Sequence, residues 1–175
     1  AYNNLLTGSL PSTIGEMTRL ETLLLSSNSL GSKLPHTIGQ ATGLKYLDLS
    51  SNSFTGTVPH NFTYNTNLVE LKLNSNSFNG SLHEQGFRDL TKLEVLYLQD
   101  NSLTGPWPEF FDLVSLEYFD MSRNTFTTTL PYDLLGLNCT ALREFICVTC
   151  NLTGTLPDDI AASGYGSFGE MSHME

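Results

Sequence analysis

Apolar residues recur along this chain in a pattern that repeats at intervals of 23 to 26 residues. Each repeat reads LxxLxLxxN, with mostly polar residues at x, and the segments begin at Leu20, Leu44, Leu68, Leu93, Leu116 and Leu142. The alternating apolar residues, such as Leu47 and Leu49, have the period-2 spacing of a short strand with one buried face. The pattern therefore predicts one strand in each coil of a solenoid, stacked into a parallel sheet.

The last position of the pattern is polar, although the chain turns inward there. It is occupied, at intervals of 24, 24, 24, 25, 23 and 26 residues, by Asn4, Asn28, Asn52, Asn76, Asn101, Asn124 and Cys150. A buried amide needs hydrogen-bond partners, and the nearest ones are backbone groups of its own and the neighbouring coil. We therefore predict a structural ladder of these side chains that ties coil to coil.

Two further apolar columns follow the ladder in each repeat, one from Leu10 to Leu156 and the other from Ile14 to Ile160. These columns are predicted to fill the interior between the sheet and the convex side. Prolines such as Pro35, which recur between the two columns, fix φ and prevent long helices on that side.

With these repeats in phase over essentially the whole chain, the sequence resembles the plant-specific class of extracellular leucine-rich-repeat proteins, whose motif is LxxLxLxxNxLTGxIPxxLGxLxxL. The resemblance implies an α/β solenoid: a right-handed leucine-rich-repeat superhelix with a concave parallel β-sheet, short second strands and a 3₁₀ or irregular convex side. Residues 1–175 would form a single array of about seven coils. Since neither end shows a polar capping repeat, we expect the uncapped middle of a longer chain.

The repeats depart from this motif at a few positions. Ser32 and Thr128 stand where the motif has Gly, and His83 stands where it has Pro. We therefore expect the fourth coil, which contains His83, to be locally irregular.

The charge of the chain limits the classes of partner. Eighteen acidic residues face eight basic ones, which gives a net charge of −10. Nucleic-acid binding is not expected, because a phosphate backbone requires a Lys/Arg surface. A protein or peptide ligand, basic or neutral, is easier to accommodate, and no apolar stretch in this window is long enough for a membrane span.

Outward positions of the strands predict a candidate binding surface on the concave face. Equivalent residues of successive strands form stripes about 4.8 Å apart. We define the concave patch as the acidic and aromatic residues on two such stripes, together with one lysine: Tyr46, Asp48, Glu70, Lys72, Tyr97, Tyr118 and Asp120. This composition is typical of recognition surfaces, although any concave face contains some aromatic and charged residues.

Catalytic and metal chemistry find little support. No Ser/His/Asp set or metal-ligand spacing is present, and the adjacent carboxylates Asp158 and Asp159 diverge in a turn-like stretch. We predict no catalytic residues, no cofactor and no metal. His36 and His60 do share one convex column, which places their rings near each other, but no third ligand accompanies them.

The three cysteines occupy inward columns. Free buried thiols are favoured at Cys139, Cys147 and Cys150. A disulfide among them, for example from Cys139 to Cys147 or to Cys150, is the alternative in an oxidising compartment, but an odd count leaves one thiol over. The sequence therefore predicts no particular pairing.

Four sequons mark candidate N-glycan sites at Asn61, Asn79, Asn138 and Asn151. About three sequons are expected by chance at this composition, so they carry weight only through the family resemblance, which implies a secretory route. Asn61 is then the best candidate, because it lies in a predicted convex loop.

Three functions remain open at this stage. The favoured hypothesis is a protein- or peptide-binding module, the recognition ectodomain of a receptor-like or secreted protein located outside the cell or at its surface, or in an organelle lumen. The second is a permanent structural accessory or scaffold subunit of a large assembly. The third is a secreted inhibitor of a cell-wall-degrading glycosidase, similar to the plant proteins of this same repeat class that inhibit polygalacturonases.

Overall fold

The computed structural model describes residues 1–83, 86–106, 113–127, 141–151 and 153. These residues form two parallel six-stranded sheets that run along a solenoid. The concave sheet contains β2 (Thr22–Leu24), β4 (Tyr46–Asp48), β6 (Glu70–Lys72), β8 (Val95–Tyr97), β10 (Tyr118–Asp120) and β12 (Glu144–Ile146). The second sheet contains β1 (Thr7–Gly8), β3 (Ser29–Lys33), β5 (Ser53–Gly56), β7 (Ser77–Ser81), β9 (Ser102–Gly105) and β11 (Thr125–Phe126). The predicted solenoid with short second strands is confirmed.

The convex side of the first three coils is built from 3₁₀ helices. They span Ser12–Glu16, His36–Gln40 and His60–Tyr64, and each follows a proline whose φ is between −71° and −61°. Proline is suited to this position because its fixed φ leads into a helical turn and its missing N–H is not needed there. Within the described part of the chain, no residue is α-helical, and no helix is long and apolar enough to cross a membrane.

From β4 to β12, each concave strand buries its central residue and presents the residues on either side of it outward, whereas the central residue of β2, Leu23, is only partly buried. In β4, Leu47 is buried, whereas Tyr46 is exposed and Asp48 half-buried. The core behind the sheet is continuous from coil to coil, and the rings of Phe54 and Phe78 stack within it at 6.2 Å. Strand alternation therefore decides which side chains reach the concave surface.

Asparagines after the concave strands join neighbouring coils through backbone groups. Asn52 Nδ2 donates to Leu25 O, in the preceding coil, at 2.9 Å and to Leu49 O at 3.1 Å. Its Oδ1 accepts from Leu30 N at 3.0 Å. Corresponding hydrogen bonds are made by Asn76, Asn101 and Asn124. Asn28 likewise accepts from the coil before it, whereas Asn4 is exposed and donates to Tyr2 O.

The cysteine at the end of this column is joined to another cysteine. Cys147 and Cys150 form a disulfide, so the expectation of free thiols at these two positions was wrong. The alternative of a disulfide among the three cysteines holds, although in neither of the two example pairings with Cys139. Thr149 has a φ of 55°, which folds the chain back and brings the two Cα atoms to 5.6 Å. This separation lies within the range for disulfides. Cys139 itself lies outside the described residues.

The junction between the third and fourth coils differs from the junction between the second and third. A Cβ on Gly39 of the second coil would lie 2.2 Å from Asn61 O of the third, so the second and third coils approach closely only because glycine has no side chain. Thr63 occupies the corresponding position of the third coil, and its hydroxyl donates to Asp89 of the fourth at 2.8 Å. In the fourth coil, residues 86–89 form bends and turns in place of a 3₁₀ helix. The predicted local irregularity is confirmed there.

Candidate functional site

The concave patch lies on four neighbouring strands. Strand pairing sets Tyr46 opposite Glu70 and Asp48 opposite Lys72. The same register places Lys72 opposite Tyr97, and Tyr97 opposite Asp120. Tyr118 is separated from Glu70 by Val95 on the intervening strand. The structure therefore brings the seven residues onto one continuous surface in two adjacent stripes.

Lys72 occupies the middle of this surface. Its Nζ lies 2.8 Å from Glu70 Oε2 and 5.7 Å from the centre of the Tyr97 ring. Both ends of the Lys72–Glu70 pair are about one-third exposed, at 30% and 35%. The ammonium thus contacts a carboxylate and an aromatic face together, a cation–π arrangement. The single lysine of the patch is therefore already paired with a carboxylate.

Two further carboxylates of the patch are held by neutral donors. Asp48 Oδ1 accepts from the backbone N–H of Ser50 at 3.0 Å and from its hydroxyl at 2.6 Å. Asp120 Oδ1 accepts from the Ser122 N–H at 2.9 Å. Neutral donors orient a carboxylate without cancelling its charge. Asp48 and Asp120 therefore keep a negative field over the concave surface.

The charges of the patch act on the pKa of the Tyr97 hydroxyl. Burial raises the pKa of Tyr97, while the nearby Lys72 ammonium lowers it. Glu144, Asp120 and Glu70 each raise that pKa further, because an ionised phenol would repel them. The net direction is upward, which indicates that burial and the carboxylates outweigh the single lysine.

Sequence reasoning left Glu144 out of the patch, although strand pairing places it beside Tyr118 and its charge acts on Tyr97.

Sequence reasoning also missed an ion pair between two residues that follow concave strands, Asp100 after β8 and Arg123 after β10. Arg123 Nε and Nη2 donate to the two carboxylate oxygens of Asp100, with an Nη2–Oδ2 distance of 2.7 Å. Both residues stand immediately before a ladder asparagine, so their shared place in the repeat is the signal that could have identified the pair.

Family models match this arrangement of repeats. Leucine-rich-repeat models match residues 42–103, and residues 19–41 and 115–137. This chain belongs to the leucine-rich-repeat family. No curated protein matches its sequence at a significant level. Its similarity to solved structures further supports the plant extracellular class.

Three solved leucine-rich-repeat ectodomains illustrate the similarity. The plant membrane receptor kinase GASSHO1/SCHENGEN3 of Arabidopsis thaliana, in complex with CASPARIAN STRIP INTEGRITY FACTOR 2, is 29% identical over 93% of this chain, with a TM-score of 0.87. The plant peptide hormone receptor RGFR1, in complex with RGF2, is 35% identical over 90%, with a TM-score of 0.85. The receptor kinase SOBIR1 of Arabidopsis thaliana is 32% identical over 71%, with a TM-score of 0.65.

The share of each relative that is matched differs widely. This leucine-rich-repeat chain spans 19% of the GASSHO1/SCHENGEN3 chain and 25% of the RGFR1 chain, but 69% of the SOBIR1 chain. The similarity to the first two structures thus concerns a minor part of their arrays.

Candidate glycan sites differ in their surroundings. Asn61 is half-buried on a 3₁₀ helix, whereas Asn79 is exposed on β7. Asn151 is exposed, and its Nδ2, the atom that would carry a glycan, donates to Phe126 O at 3.1 Å. Asn138 lies outside the described residues. By exposure and freedom from this hydrogen bond, Asn79 is better placed than the sequence-favoured Asn61.

Proposed function

We propose that this leucine-rich-repeat chain is part of the recognition ectodomain of a plant receptor-like or secreted protein, and that its concave patch binds a peptide or protein. The observation that carries the proposal is the single surface formed by Tyr97, Lys72 and Asp120 on three adjacent strands. Relatives that bind a peptide hormone or a named factor support it. The family consists of receptor ectodomains and binding proteins, which are not enzymes.

The ligand in this proposal carries positive charge. Asp48 and Asp120 are oriented by neutral serine donors, and Glu144 adds a third carboxylate beside Tyr118. A lysine or arginine side chain of a ligand would meet carboxylates next to an aromatic ring, which favours its cationic group. The net charge of −10 would add long-range attraction at low ionic strength.

The proposed location is outside the cell or at its surface, as for the ectodomains that the chain resembles. Asn79 is the proposed glycan site, since its side chain is exposed on the second sheet, away from the concave patch. A glycan there would leave the concave surface open to a ligand.

Affinity capture from plant extracellular fluid tests the proposal. The intact protein serves as bait beside two variants, one with Tyr97→Ala and Asp120→Asn in the concave patch and one with Tyr64→Ala on the convex side. Tyr64 is the matched control, because it is 59% exposed on a 3₁₀ helix. A captured peptide would then be synthesised and titrated at low and high salt.

We expect the concave variant to bind that peptide at least about tenfold more weakly, while Tyr64→Ala binds it as the parent protein does. Affinity should also fall as salt is raised. Equal binding by all three proteins would refute the concave-patch assignment. A stoichiometric protein partner that survives high salt and both sets of substitutions would instead support the scaffold alternative.

A further inference from the structure

Two histidines form a pair on the convex side, where the third and fourth coils meet. The ring centres of His60 and His83 lie 5.4 Å apart, with an angle of 41° between the ring planes. Both residues are exposed. His60 begins a 3₁₀ helix of the third coil, while His83 stands where the repeat has proline. The pair therefore bridges two coils that are 23 residues apart in sequence.

The backbone beneath the pair is closely packed. Gly86 N donates to His83 O at 2.8 Å. A Cβ on Gly86 would lie 3.2 Å from His83 O, which is tighter than most such contacts, and 3.4 Å from His60 Cα, which is an ordinary contact distance. Nearby, the hydroxyl of Thr63 donates to Asp89 across the same junction. The backbones of His60 and His83 thus both run close to Gly86.

The separation of the rings fits chelation of one metal ion. A Zn–N distance of about 2.0–2.1 Å puts the ion roughly 3.2 Å from each ring centre. Two rings whose centres are 5.4 Å apart then subtend about 115° at the ion, near the tetrahedral angle of about 109°. Both side chains are exposed, and a neutral imidazole supplies a lone pair to the ion.

We propose that His60 and His83 form a surface site for a divalent transition-metal ion, Zn²⁺ or Ni²⁺, with water completing the coordination. The bound ion links the third and fourth coils on the convex side. It leaves the concave patch unaltered, so the site is independent of the proposed ligand. Imidazole ligands select these ions over Mg²⁺ and Ca²⁺, which prefer oxygen.

Thermal unfolding of the intact protein with added Zn²⁺ or Ni²⁺ tests the site. The variants are His60→Gln and His83→Gln, with His36→Gln as the matched control, because His36 begins the equivalent 3₁₀ helix one coil earlier. At about 100 times the dissociation constant, the Tm of the parent protein should rise by roughly 5–10 °C. The rise should persist in His36→Gln and disappear in the other two variants, and Mg²⁺ should not produce it.

Histidine NMR signals provide a second measurement that does not depend on the stability of the variants. Of the four histidines in the chain, the signals of His60 and His83 should shift or broaden together on addition of Zn²⁺. The proposal is overturned if the parent protein shows no saturable response to metal, if the response survives in either His60→Gln or His83→Gln, or if His36→Gln abolishes it equally.

Discussion

Asn124 Oδ1 accepts a hydrogen bond from the backbone N–H of Leu103, which precedes it by 21 residues, at 3.0 Å. Its Nδ2 donates to Leu98 O and Met121 O at 3.1 and 2.9 Å, and the side chain is buried. One buried amide thereby satisfies backbone groups of two coils. The same role cannot be filled by an apolar residue of similar size.

Replacing Asn124 by Ala should lower the free energy of unfolding by about 2–4 kcal/mol, since buried backbone donors and acceptors lose their partner. Urea unfolding measures the change. Asn4→Ala is the control, because Asn4 is exposed and its Nδ2 donates to Tyr2 O nearby. That variant should lose less than about 0.5 kcal/mol. Similar losses in both variants would show that burial of the amide does not matter.

The Cys147–Cys150 disulfide should stabilise the last described coil. Closing so short a loop contributes about 2 kcal/mol in the chain-entropy account, so reduction should lower the Tm by roughly 4–8 °C. Cys150 Sγ lies 3.5 Å from Met121 O, so an asparagine at 150 could donate to that carbonyl. The double variant Cys147→Leu with Cys150→Asn should therefore keep its Tm when a reductant is added. A parent protein insensitive to reductant would contradict this role.

Glycine at position 39 should be required for close approach of the second and third coils. A Cβ there would lie 2.2 Å from Asn61 O, a backbone atom that cannot rotate away. Gly39→Ala should cost about 1–3 kcal/mol, measured by urea unfolding. Gly31→Ala is the matched control, since its nearest atom would be Ser53 O at 3.4 Å. Equal effects in the two variants would disprove the steric explanation.

Asp100 should contribute to stability in a pH-dependent way. The hydrogen bond from Arg123 holds the pKa of the Asp100 carboxyl below its usual range. The contribution is therefore present above the ordinary pKa of about 3.9 and is lost as the pH falls through the lower folded-state value. Because the side chains of Asp100 and Arg123 are 37% and 55% exposed, Asp100→Asn should cost only about 0.5 kcal/mol at pH 7.

Unfolding at pH 7 and at pH 2, in low and high salt, checks this. The difference between parent and Asp100→Asn should shrink at pH 2 and in high salt. Glu16→Gln removes the same charge from an exposed convex position and controls for net charge. If Glu16→Gln reproduced the effect, the specific ion pair would not be its cause.

The repeat pattern by itself determined the solenoid and the face on which each strand residue lies. Period-2 alternation buries Leu47 and Leu71 and leaves Tyr46, Asp48 and Lys72 outward, whatever the details of packing. Repetition makes such inference robust, because each coil meets a neighbour of the same kind. The irregularity of the fourth coil was also predictable from the sequence, because His83 stands where the repeat motif has proline.

Only the tertiary structure decided which side chains meet. Lys72 Nζ lies near both Glu70 and the ring of Tyr97 because side-chain direction and strand twist bring them together. His60 pairs with His83, although the sequence drew attention to His36, since ring contacts depend on how closely two coils approach. Cys147 reaches Cys150 through the turn at Thr149. Such contacts depend on distances of a few ångström between coils, and a one-dimensional repeat specifies neighbours without specifying those distances.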